Sequence, residues 1–304
     1  MPIFLTYLWP MESQDFKAGF ISILGKPNVG KSTLMNAIVG ERLSIATSKA
    51  QTTRHRIFGI MTGSDFQMVF SDTPGVISPG YELQESMMKF VKAALEDADL
   101  ILLVVELNQK HSEDQFFQRI IKGNTKIILV INKMDQAVGT QLQDKLTYWR
   151  ALLPKIEIFP VSALKKENIE PLFIKIRDHL PNHPPYFSKD ALTDKPERFF
   201  AAEIIREKIF TNYKKEVPYS CEVAVTEFKE EQDIIRIRAE IFVERDSQKG
   251  ILIGHRGASL KKVGIESRKD MEQFFQKKIH VETYVKVGKN WRKDKKQLRR
   301  FGYE

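Results

Sequence analysis

The 304-residue chain is predicted to fold as an α/β domain followed by a smaller α+β domain. Up to about residue 181, apolar strands alternate with amphipathic helices, which predicts a mostly parallel sheet with helices on both faces. From about residue 197 the elements follow a different order. Between the two regions, Pro181, Pro184 and Pro185 cannot continue a helix, which indicates a linker. The length of the chain agrees with about two domains.

Four segments are expected along the chain. An N-terminal extension covers residues 1–15, the first domain 16–181, the linker 182–196 and the second domain 197–304, which ends in a basic tail. The extension receives no functional assignment, and Met11 would serve as a start as well as Met1 does. Within the first domain, Ser112 and Gln115 are predicted to form a capping box at the start of a helix.

A glycine-rich loop between a strand and a helix is the most specific motif of the first domain. It follows the apolar residues 20–24 and precedes a helix expected to end at Gly40. In such a loop, backbone N–H groups and the helix N-terminus face the phosphates of a nucleotide. Lys31 is expected to reach the β- and γ-phosphates, and Ser32 is expected to bind Mg²⁺. The loop fits G-x-x-x-x-G-K-[ST] and consists of Gly25, Lys26, Pro27, Asn28, Val29, Gly30, Lys31 and Ser32, with Thr33 next.

A second strand, predicted over residues 66–70, ends in a short polar segment that consists of Asp72, Thr73, Pro74 and Gly75. Open α/β sheets bind ligands at the carboxyl ends of their strands. We therefore expect Asp72 to hold Mg²⁺ through water and the peptide of Gly75 to meet a γ-phosphate.

Two later strands, predicted over residues 126–131 and 156–161, indicate which base is bound. The first strand ends in Asn132, Lys133 and Asp135. A carboxylate at Asp135 accepts hydrogen bonds from N1–H and the 2-amino group of guanine, whereas adenine has neither donor at those positions. The expected ligands are therefore GTP and GDP. The second strand ends in Ser162, Ala163 and Leu164, whose backbone is expected to bond guanine O6.

These motifs resemble those of the translation-factor-like GTPases, in which a threonine of switch I completes the Mg²⁺ site. Residues 51–56 are the corresponding segment, and the resemblance favours Thr53, although local chemistry does not separate it from Thr52. Lys31 and Thr53 are thus the expected catalytic residues. Val76 stands where many small GTPases have a water-orienting Gln, so slow intrinsic hydrolysis is expected.

Asn28 of the glycine-rich loop has two interpretations. Some relatives with Asn at this position bind K⁺ beside the phosphates, where the ion adds positive charge. Asn is also favoured by the geometry of turns. The sequence leaves both interpretations open.

The second domain is predicted to have the element order α-β-β-α-α-β, with a long helix over residues 258–278 and a last strand over 280–287. An I-G-x-x-G motif lies between the two consecutive helices. This order resembles a type II KH domain, which clamps about four single-stranded nucleotides against that loop. The expected RNA-binding residues are Gly254, His255, Arg256, Gly257, Lys261 and Lys262.

The positive charge of the chain is concentrated in this second region. Residues 186–304 hold 27 Lys and Arg against 20 Asp and Glu, a net +7 out of +9 for the whole chain. Binding to RNA phosphates requires such an excess. The tail over residues 291–300 is also basic, and two interpretations stay open for it: a solvated helix face, and direct contact with RNA or anionic lipid.

The combination of a P-loop GTPase domain with a C-terminal type II KH domain resembles the Era family of bacterial Ras-like GTPases. Three strings carry this resemblance: residues 49–56, 204–208 and 264–271. It implies GTP hydrolysis and binding near the 3′ end of small-subunit ribosomal RNA, including a GAUCA stretch, during assembly of the small ribosomal subunit. It also implies peripheral membrane association. The alternative is a nucleotide-regulated RNA-binding module without significant turnover.

Composition adds expectations about the compartment. Cys221 is the one cysteine, which excludes a disulfide framework and suits a reducing cytoplasm. No apolar run reaches about 18 residues, so no membrane span is expected. We expect a cytoplasmic monomer with weak peripheral contact at the inner face of the cell membrane.

Overall fold

The computed structural model describes residues 16–47, 49–108 and 115–303. The extension predicted over residues 1–15 and the capping box predicted at Ser112 lie outside these described residues.

The first domain is built from six strands and five α-helices within the described residues. Its strands are β1 (Lys17–Leu24), β2 (Ile57–Thr62), β3 (Phe66–Asp72), β4 (Leu100–Glu106), β5 (Lys126–Asn132) and β6 (Glu157–Pro160). Its helices are α1 (Lys31–Val39), α2 (Glu82–Glu96), α3 (Gln115–Ile121), α4 (Gln141–Leu152) and α5 (Ile169–His179).

The strands form one sheet in the order β2-β3-β1-β4-β5-β6, and every pair is parallel except β2 with β3. The predicted α/β fold with a mostly parallel sheet is therefore confirmed. Strand β2 has no counterpart in the sequence prediction, because Gly59 interrupts its apolar residues and local pattern alone does not mark it as a strand.

Both faces of this sheet are covered by helices, as strand β4 shows. Leu100, Leu102 and Val104 pack in one apolar cluster with residues of α1 and α5. The residues between them, Ile101 and Leu103, pack on the opposite face with residues of α2, α3 and α4. Because successive side chains of a strand point to opposite faces, a continuous apolar run serves both layers.

The second domain contains a three-stranded sheet in the order β7-β8-β9, with β7 antiparallel and β9 parallel to the central strand. The predicted type II KH fold is confirmed. Helix α7 was not predicted. The elements are α6 (Glu197–Asn212), α7 (Val217–Ser220), β7 (Glu222–Glu230), β8 (Ile234–Val243), α8 (Asp246–Ile253), α9 (Ala258–Phe275), β9 (Lys278–Val287) and α10 (Lys295–Arg300).

One predicted boundary in this domain is wrong. The long helix was expected to continue to residue 278, but α9 ends at Phe275 and β9 already begins at Lys278. The reason is Gln276, whose φ of 53° lies in the left-handed region and ends the helix.

The segment between the domains lies along the edge of the first sheet. Gln67 of β3 is fully buried, and its Oε1 accepts hydrogen bonds from Tyr186 N at 2.7 Å and Phe187 N at 2.9 Å. Farther along, Ile60 N of β2 donates to Leu192 O at 2.9 Å. The bond from Ile60 occupies a backbone group that the edge strand β2 otherwise leaves unpaired, and the bonds to Gln67 fix the segment on the neighbouring strand.

The C-terminal residues of the chain pack on helix α2 of the first domain. Trp291, Leu298 and Tyr303 are buried in one apolar cluster with Leu83 and Met87. The tail therefore has a buried apolar face and an exposed basic face, which carries Lys293, Lys295, Lys296, Arg299 and Arg300. In the part of the chain that the structure describes, no helix is both long enough and apolar enough to span a bilayer.

Candidate functional site

The carboxyl ends of β1, β3, β5 and β6 meet at one edge of the sheet and surround a pocket of about 480 Å³. The pocket brings together residues from all the predicted nucleotide-binding segments. Its lining consists of Pro27, Asn28, Gly30, Lys31, Ser32, Thr33, Ile45, Ala46, Thr47, Lys49, Gln51, Thr52, Thr53, Gly75, Asn132, Lys133, Asp135, Gln136 and Leu164.

The floor of the pocket is suited to an anion. Helix α1 begins at Lys31, and Gly30 before it, with a φ of 93°, has no side chain that could cap the helix N-terminus beside the pocket. Lys31 Nζ donates to Lys26 O at 3.0 Å. Burial lowers the pKa of Lys31 from 10.5 to about 8, and the nearby carboxylate of Asp72 opposes that shift. A phosphate group bound here would place negative charge next to the buried ammonium of Lys31 and stabilise its charged form.

Beside Lys31, three oxygen-bearing side chains form a compact group. Ser32 Oγ donates to Asp72 Oδ2 at 2.7 Å and lies 2.8 Å from Thr53 Oγ1. Asp72 Oδ1 is buried and has no hydrogen-bond partner among the described residues. Burial raises the pKa of Asp72, with Lys31 and Ser32 opposing the shift. A set of hard oxygen donors with an unpartnered carboxylate oxygen fits Mg²⁺.

Thr52 points away from this group. Its Oγ1 donates to Lys49 O at 2.7 Å and lies 3.2 Å from Thr47 Oγ1. Of the two threonines that the sequence could not separate, Thr53 is the one whose hydroxyl faces Ser32.

The segment after β3 rests directly on the glycine-rich loop. A Cβ atom added at Gly75 would lie 2.6 Å from Cα of Pro27, so no larger residue fits without moving the backbone. Val76 N also donates to Gly25 O at 3.1 Å. The glycine-rich loop and the segment after β3 are thus in mutual contact.

At the end of the pocket predicted to bind the base, Asp135 and Asn132 are held by their neighbours. Ser162 Oγ donates to Asp135 Oδ1 at 2.6 Å, which leaves Oδ2 of the carboxylate for a ligand. Asn132 joins two loops, because its Nδ2 donates to Val29 O at 2.9 Å and its Oδ1 accepts from Ala163 N at 3.0 Å. Asn132 thereby fixes the position of the glycine-rich loop relative to the loop at residues 162–164.

Lys133 closes the same side of the pocket. Its Nζ donates to Asn28 O and to Glu106 Oε2, both at 2.8 Å. Asn28 itself is exposed and has a φ of 65°. Thr73, in contrast, is fully buried and donates to Ile23 O at 2.9 Å.

The residues predicted to bind the nucleotide are not the same set as the residues that line the pocket. Several predicted nucleotide-binding residues lie behind the lining and support it: Gly25, Lys26, Val29, Asp72, Thr73, Pro74, Ser162 and Ala163. Other lining residues were missed by the sequence prediction: Ile45, Ala46, Thr47, Lys49, Gln51 and Gln136. Lys49 and Gln51 lie in the string of residues 49–56 that carries the family resemblance, whereas no motif in the sequence marks the other four.

In the second domain, the predicted RNA-binding loop lies between α8 and α9. Gly254 and Gly257 have φ values of 72° and 78°, and a Cβ atom at Gly254 would lie 2.2 Å from Ser259 Oγ. His255 and Arg256 between them are exposed. Both glycines are thus required by the backbone, which presents the two basic residues to solvent.

A groove of about 390 Å³ begins at this loop and runs between α9 and β9. Lys261 lies in its wall. Lys262 does not, and its Nζ lies 3.8 Å from Glu266 Oε1 instead. The sequence prediction did not include Arg268 among the RNA-binding residues. The groove is lined by Gly257, Leu260, Lys261, Gly264, Ile265, Arg268, Val281 and Thr283.

Comparison with known proteins gives matches over both domains. Residues 20–133 match a family model described as a 50S ribosome-binding GTPase, and residues 216–292 match the KH domain. GTPase Era of Geotalea daltonii is 44% identical over 297 residues, which cover 97% of this chain and 100% of that protein. GTPase Era of Syntrophus aciditrophicus is 46% identical over 292 residues, which cover 95% of each chain.

Two solved structures agree over almost the whole length. One is an Era variant from Aquifex aeolicus bound to GDP and AlF4⁻, with a TM-score of 0.91, 37% identity and coverage of 95% of this chain and 99% of that chain. The other is Era in complex with MgGDPNP and nucleotides 1506–1542 of 16S ribosomal RNA, with the same four values. From its identity to curated relatives over nearly its full length, and from both domain folds, the chain belongs to the Era family of GTPases.

Proposed function

We propose that this GTPase hydrolyses GTP slowly and binds single-stranded RNA near the 3′ end of small-subunit ribosomal RNA, acting in assembly of the small ribosomal subunit. The observation that carries the proposal is the joint placement of Lys31, the Ser32–Thr53–Asp72 group and Asp135 around one pocket. The basic loop at residues 254–257 and its groove support the RNA-binding part.

In the proposed site, Lys31 and the N-terminus of α1 hold the phosphates, and Asp135 selects guanine. Ser32 and Thr53 bind Mg²⁺ directly, and Asp72 binds it through water. The bound ion would neutralise charge on the phosphate oxygens. That an Era structure contains MgGDPNP supports this assignment.

The proposed rate is low because Val76 occupies the position after Gly75 and cannot orient the attacking water. The residues that remain position the phosphates without activating a nucleophile. We therefore expect intrinsic turnover on the order of 10⁻⁴ to 10⁻² s⁻¹. Because of Val76, a second candidate function is retained. It is an RNA-binding module that holds a nucleotide without significant turnover.

The RNA proposal rests on the groove beside the loop at residues 254–257 and on an Era structure that contains nucleotides 1506–1542 of 16S ribosomal RNA. His255, Arg256 and Lys261 would meet RNA phosphates, and the apolar wall of the groove would pack against bases. We also propose a cytoplasmic monomer, with the weak peripheral contact at the inner face of the cell membrane that the family resemblance implies.

GTP turnover measured with and without a short RNA carrying the 3′-end sequence tests the proposal. We expect slow turnover alone and faster turnover with this RNA, while an RNA of the same composition in scrambled order has no effect. Tight GTP and GDP binding with no turnover under any condition would instead support the nucleotide-regulated module.

The same assay in K⁺ and in Na⁺ separates the two interpretations of Asn28, a K⁺ site beside the phosphates and a turn residue. If K⁺ binds there, turnover is slower in Na⁺, and Asn28→Ala removes the difference between the two salts. Equal rates of the wild-type protein in both salts exclude K⁺ and leave the left-handed backbone of Asn28 as the reason for that residue.

A further inference from the structure

The three strings that carry the family resemblance meet at the junction between the two domains. From the first string, residues 49–56, Lys49 Nζ donates to Phe210 O and Tyr213 O at the end of α6. The second and third strings, residues 204–208 and 264–271, are joined by Lys208 and Asp270, whose side chains lie 2.5 Å apart. The junction thus includes switch I, whose residues 52 and 53 line the nucleotide pocket.

Arg54 of switch I makes the most extensive contact across this junction. Its side chain is 3% exposed. One guanidinium nitrogen donates to Cys221 O at 2.7 Å and to Glu222 Oε2 at 2.8 Å. The other donates to Tyr219 O at 3.1 Å and to Pro218 O at 3.4 Å. All four acceptors belong to the second domain, so the planar fork of Arg54 is fixed by that domain.

Glu222, the charged partner of Arg54, is fixed in turn. Tyr303 donates its hydroxyl hydrogen to Glu222 Oε2 at 2.7 Å, and both residues are buried. The ring of Tyr303 stacks on His55 with a centroid distance of 4.3 Å. Two consecutive residues of switch I, Arg54 and His55, are therefore held by the second domain and its C-terminal tail.

Thr53 immediately precedes Arg54, and its Oγ1 lies 2.8 Å from Ser32 Oγ in the pocket. Consecutive Cα atoms are about 3.8 Å apart, so a fixed Arg54 leaves the backbone of Thr53 little room to move. We propose that Arg54 is a positioning residue for GTP hydrolysis, through which the second domain holds the hydroxyl of Thr53 at the Mg²⁺ site. This inference rests on the proposed role of Thr53 as an Mg²⁺ ligand.

Because Arg54 and Glu222 are both buried, the variant that tests the proposal must not leave one charge without the other. Arg54→Ala would leave the carboxylate of Glu222 buried without its cation, which destabilises a protein regardless of any role in positioning. The pair variant Arg54→Met with Glu222→Gln removes both charges and keeps similar volumes, and the side chain of Gln can still accept the hydroxyl hydrogen of Tyr303. Thermal unfolding of the full-length pair variant checks that it folds.

Arg42→Ala is the matched control. Arg42 also crosses the junction, where it contacts Glu207 and lies 3.1 Å from Asp270. It does not adjoin Thr53. If the junction only joins the two domains, removal of either arginine should affect the nucleotide site to a similar degree.

The first measurement is the Mg²⁺ concentration that gives half-maximal binding of GDPNP to the full-length protein. We expect this concentration to rise about tenfold in the pair variant, within the usual range of coupling between sites, and to stay within about twofold in Arg42→Ala. GDP affinity should change little in either variant, because the switch I threonine binds the metal beside a γ-phosphate. An unchanged Mg²⁺ requirement in the pair variant, or an equal rise in Arg42→Ala, would overturn the inference.

Hydrogen exchange of the wild-type protein gives a second measurement that needs no variant. Residues 49–56 and 217–222 should be protected together with GDPNP and should both exchange faster with GDP. Independent changes in the two segments would contradict a positioning role for Arg54.

Thr53→Ala separates this inference from the proposed function. If Thr53→Ala leaves the Mg²⁺ requirement unchanged, the assignment of Thr53 fails, and the positioning role of Arg54 fails with it. If Thr53→Ala raises the requirement and the pair variant does not, only the positioning role is wrong.

Discussion

At the scale of single residues, the carboxylate of Asp135 is held in one orientation by a neighbouring side chain. Ser162 Oγ donates to Oδ1 of Asp135 at 2.6 Å, which fixes the carboxylate plane and leaves Oδ2 for a ligand. The two residues lie in separate motifs, and their spacing in sequence does not predict that they touch. The selection of guanine by Asp135 stays a prediction.

Asp135→Asn tests that selection. The substitution replaces an acceptor by an amide that can donate, so we expect GTP affinity to fall at least about tenfold, since hydrogen bonds to charged groups are worth roughly 1.5–3 kcal/mol. Affinity for xanthosine triphosphate should rise, because its base presents an oxygen where guanine has the amino group. Asp144→Asn on the exposed face of α4 is the control, and fluorescence titration measures both ligands. Unchanged GTP affinity in Asp135→Asn would refute the assignment.

The comparison of Thr52 with Thr53 marks a limit of sequence reasoning at this scale. Both carry the same hydroxyl, and the local sequence does not say which one faces Ser32. The direction in which each hydroxyl points is set by nearby contacts. Thr52 is bonded to Lys49 O, and Arg54, which follows Thr53, is bonded to the second domain. The bond of Thr52 to Lys49 is local, but Arg54 and Glu222 lie 168 residues apart in the sequence.

At the scale of elements, the strands that bury both faces were the easiest to predict. Strands β4 and β5 are continuous apolar runs, and both were recognised. Strand β2 was missed, although its pairing with β3 is regular. The ordered path of residues 182–196 was also missed, because it depends on hydrogen bonds to Gln67, which lies about 120 residues earlier. The predicted domain boundaries remain predictions.

The turn between α8 and α9 gives a prediction about RNA. His255→Asp with Arg256→Asp places two carboxylates where RNA phosphates are proposed to bind. We expect at least tenfold weaker binding of a GAUCA-containing single strand, with a shallower salt dependence as phosphate contacts are lost. GTP affinity should not change, because the nucleotide pocket lies in the other domain.

Lys293→Asp with Lys296→Asp is the control for that experiment. Both lysines are exposed residues of the basic tail, and the substitution adds a similar amount of negative charge. If this variant loses RNA binding while the loop variant retains wild-type affinity and salt dependence, the tail and not the loop is the RNA-binding surface.

At the scale of the whole molecule, the protonation of His55 at the junction between the domains makes the stability of the protein depend on pH. It lies among the rings of Phe90, Phe199 and Tyr303. The pKa of His55 is lowered from 6.5 to about 3, mainly by burial and in addition by the positive charges of Arg206, Lys195 and Arg54. The folded protein therefore keeps His55 neutral under mildly acidic conditions in which the unfolded chain takes up a proton.

This difference predicts a loss of stability in acid. The contribution of His55 is complete above pH 6.5 and declines as the pH falls from 6.5 toward 3, the two values of its pKa. Between pH 7 and pH 5 we expect it to lower the free energy of unfolding by roughly 2 kcal/mol. In urea unfolding, His55→Phe should not show this loss of stability between pH 7 and pH 5. His280→Phe should show it, because the side chain of His280 is 51% exposed. The same pH dependence in all three proteins would contradict the prediction.

The path of residues 182–196 along the sheet edge limits how the two domains can move. Asp194 accepts a hydrogen bond from Phe58 N at 2.9 Å, and α6 begins at Glu197, so only residues 195 and 196 lie between the anchored segment and the second domain. Two residues reach at most about 7 Å, and Pro196 has a restricted φ. While these bonds hold, the chain is a short tether with a pivot at its end. If the other contacts between the domains opened, the second domain could turn about that pivot, but it could not drift away from the first.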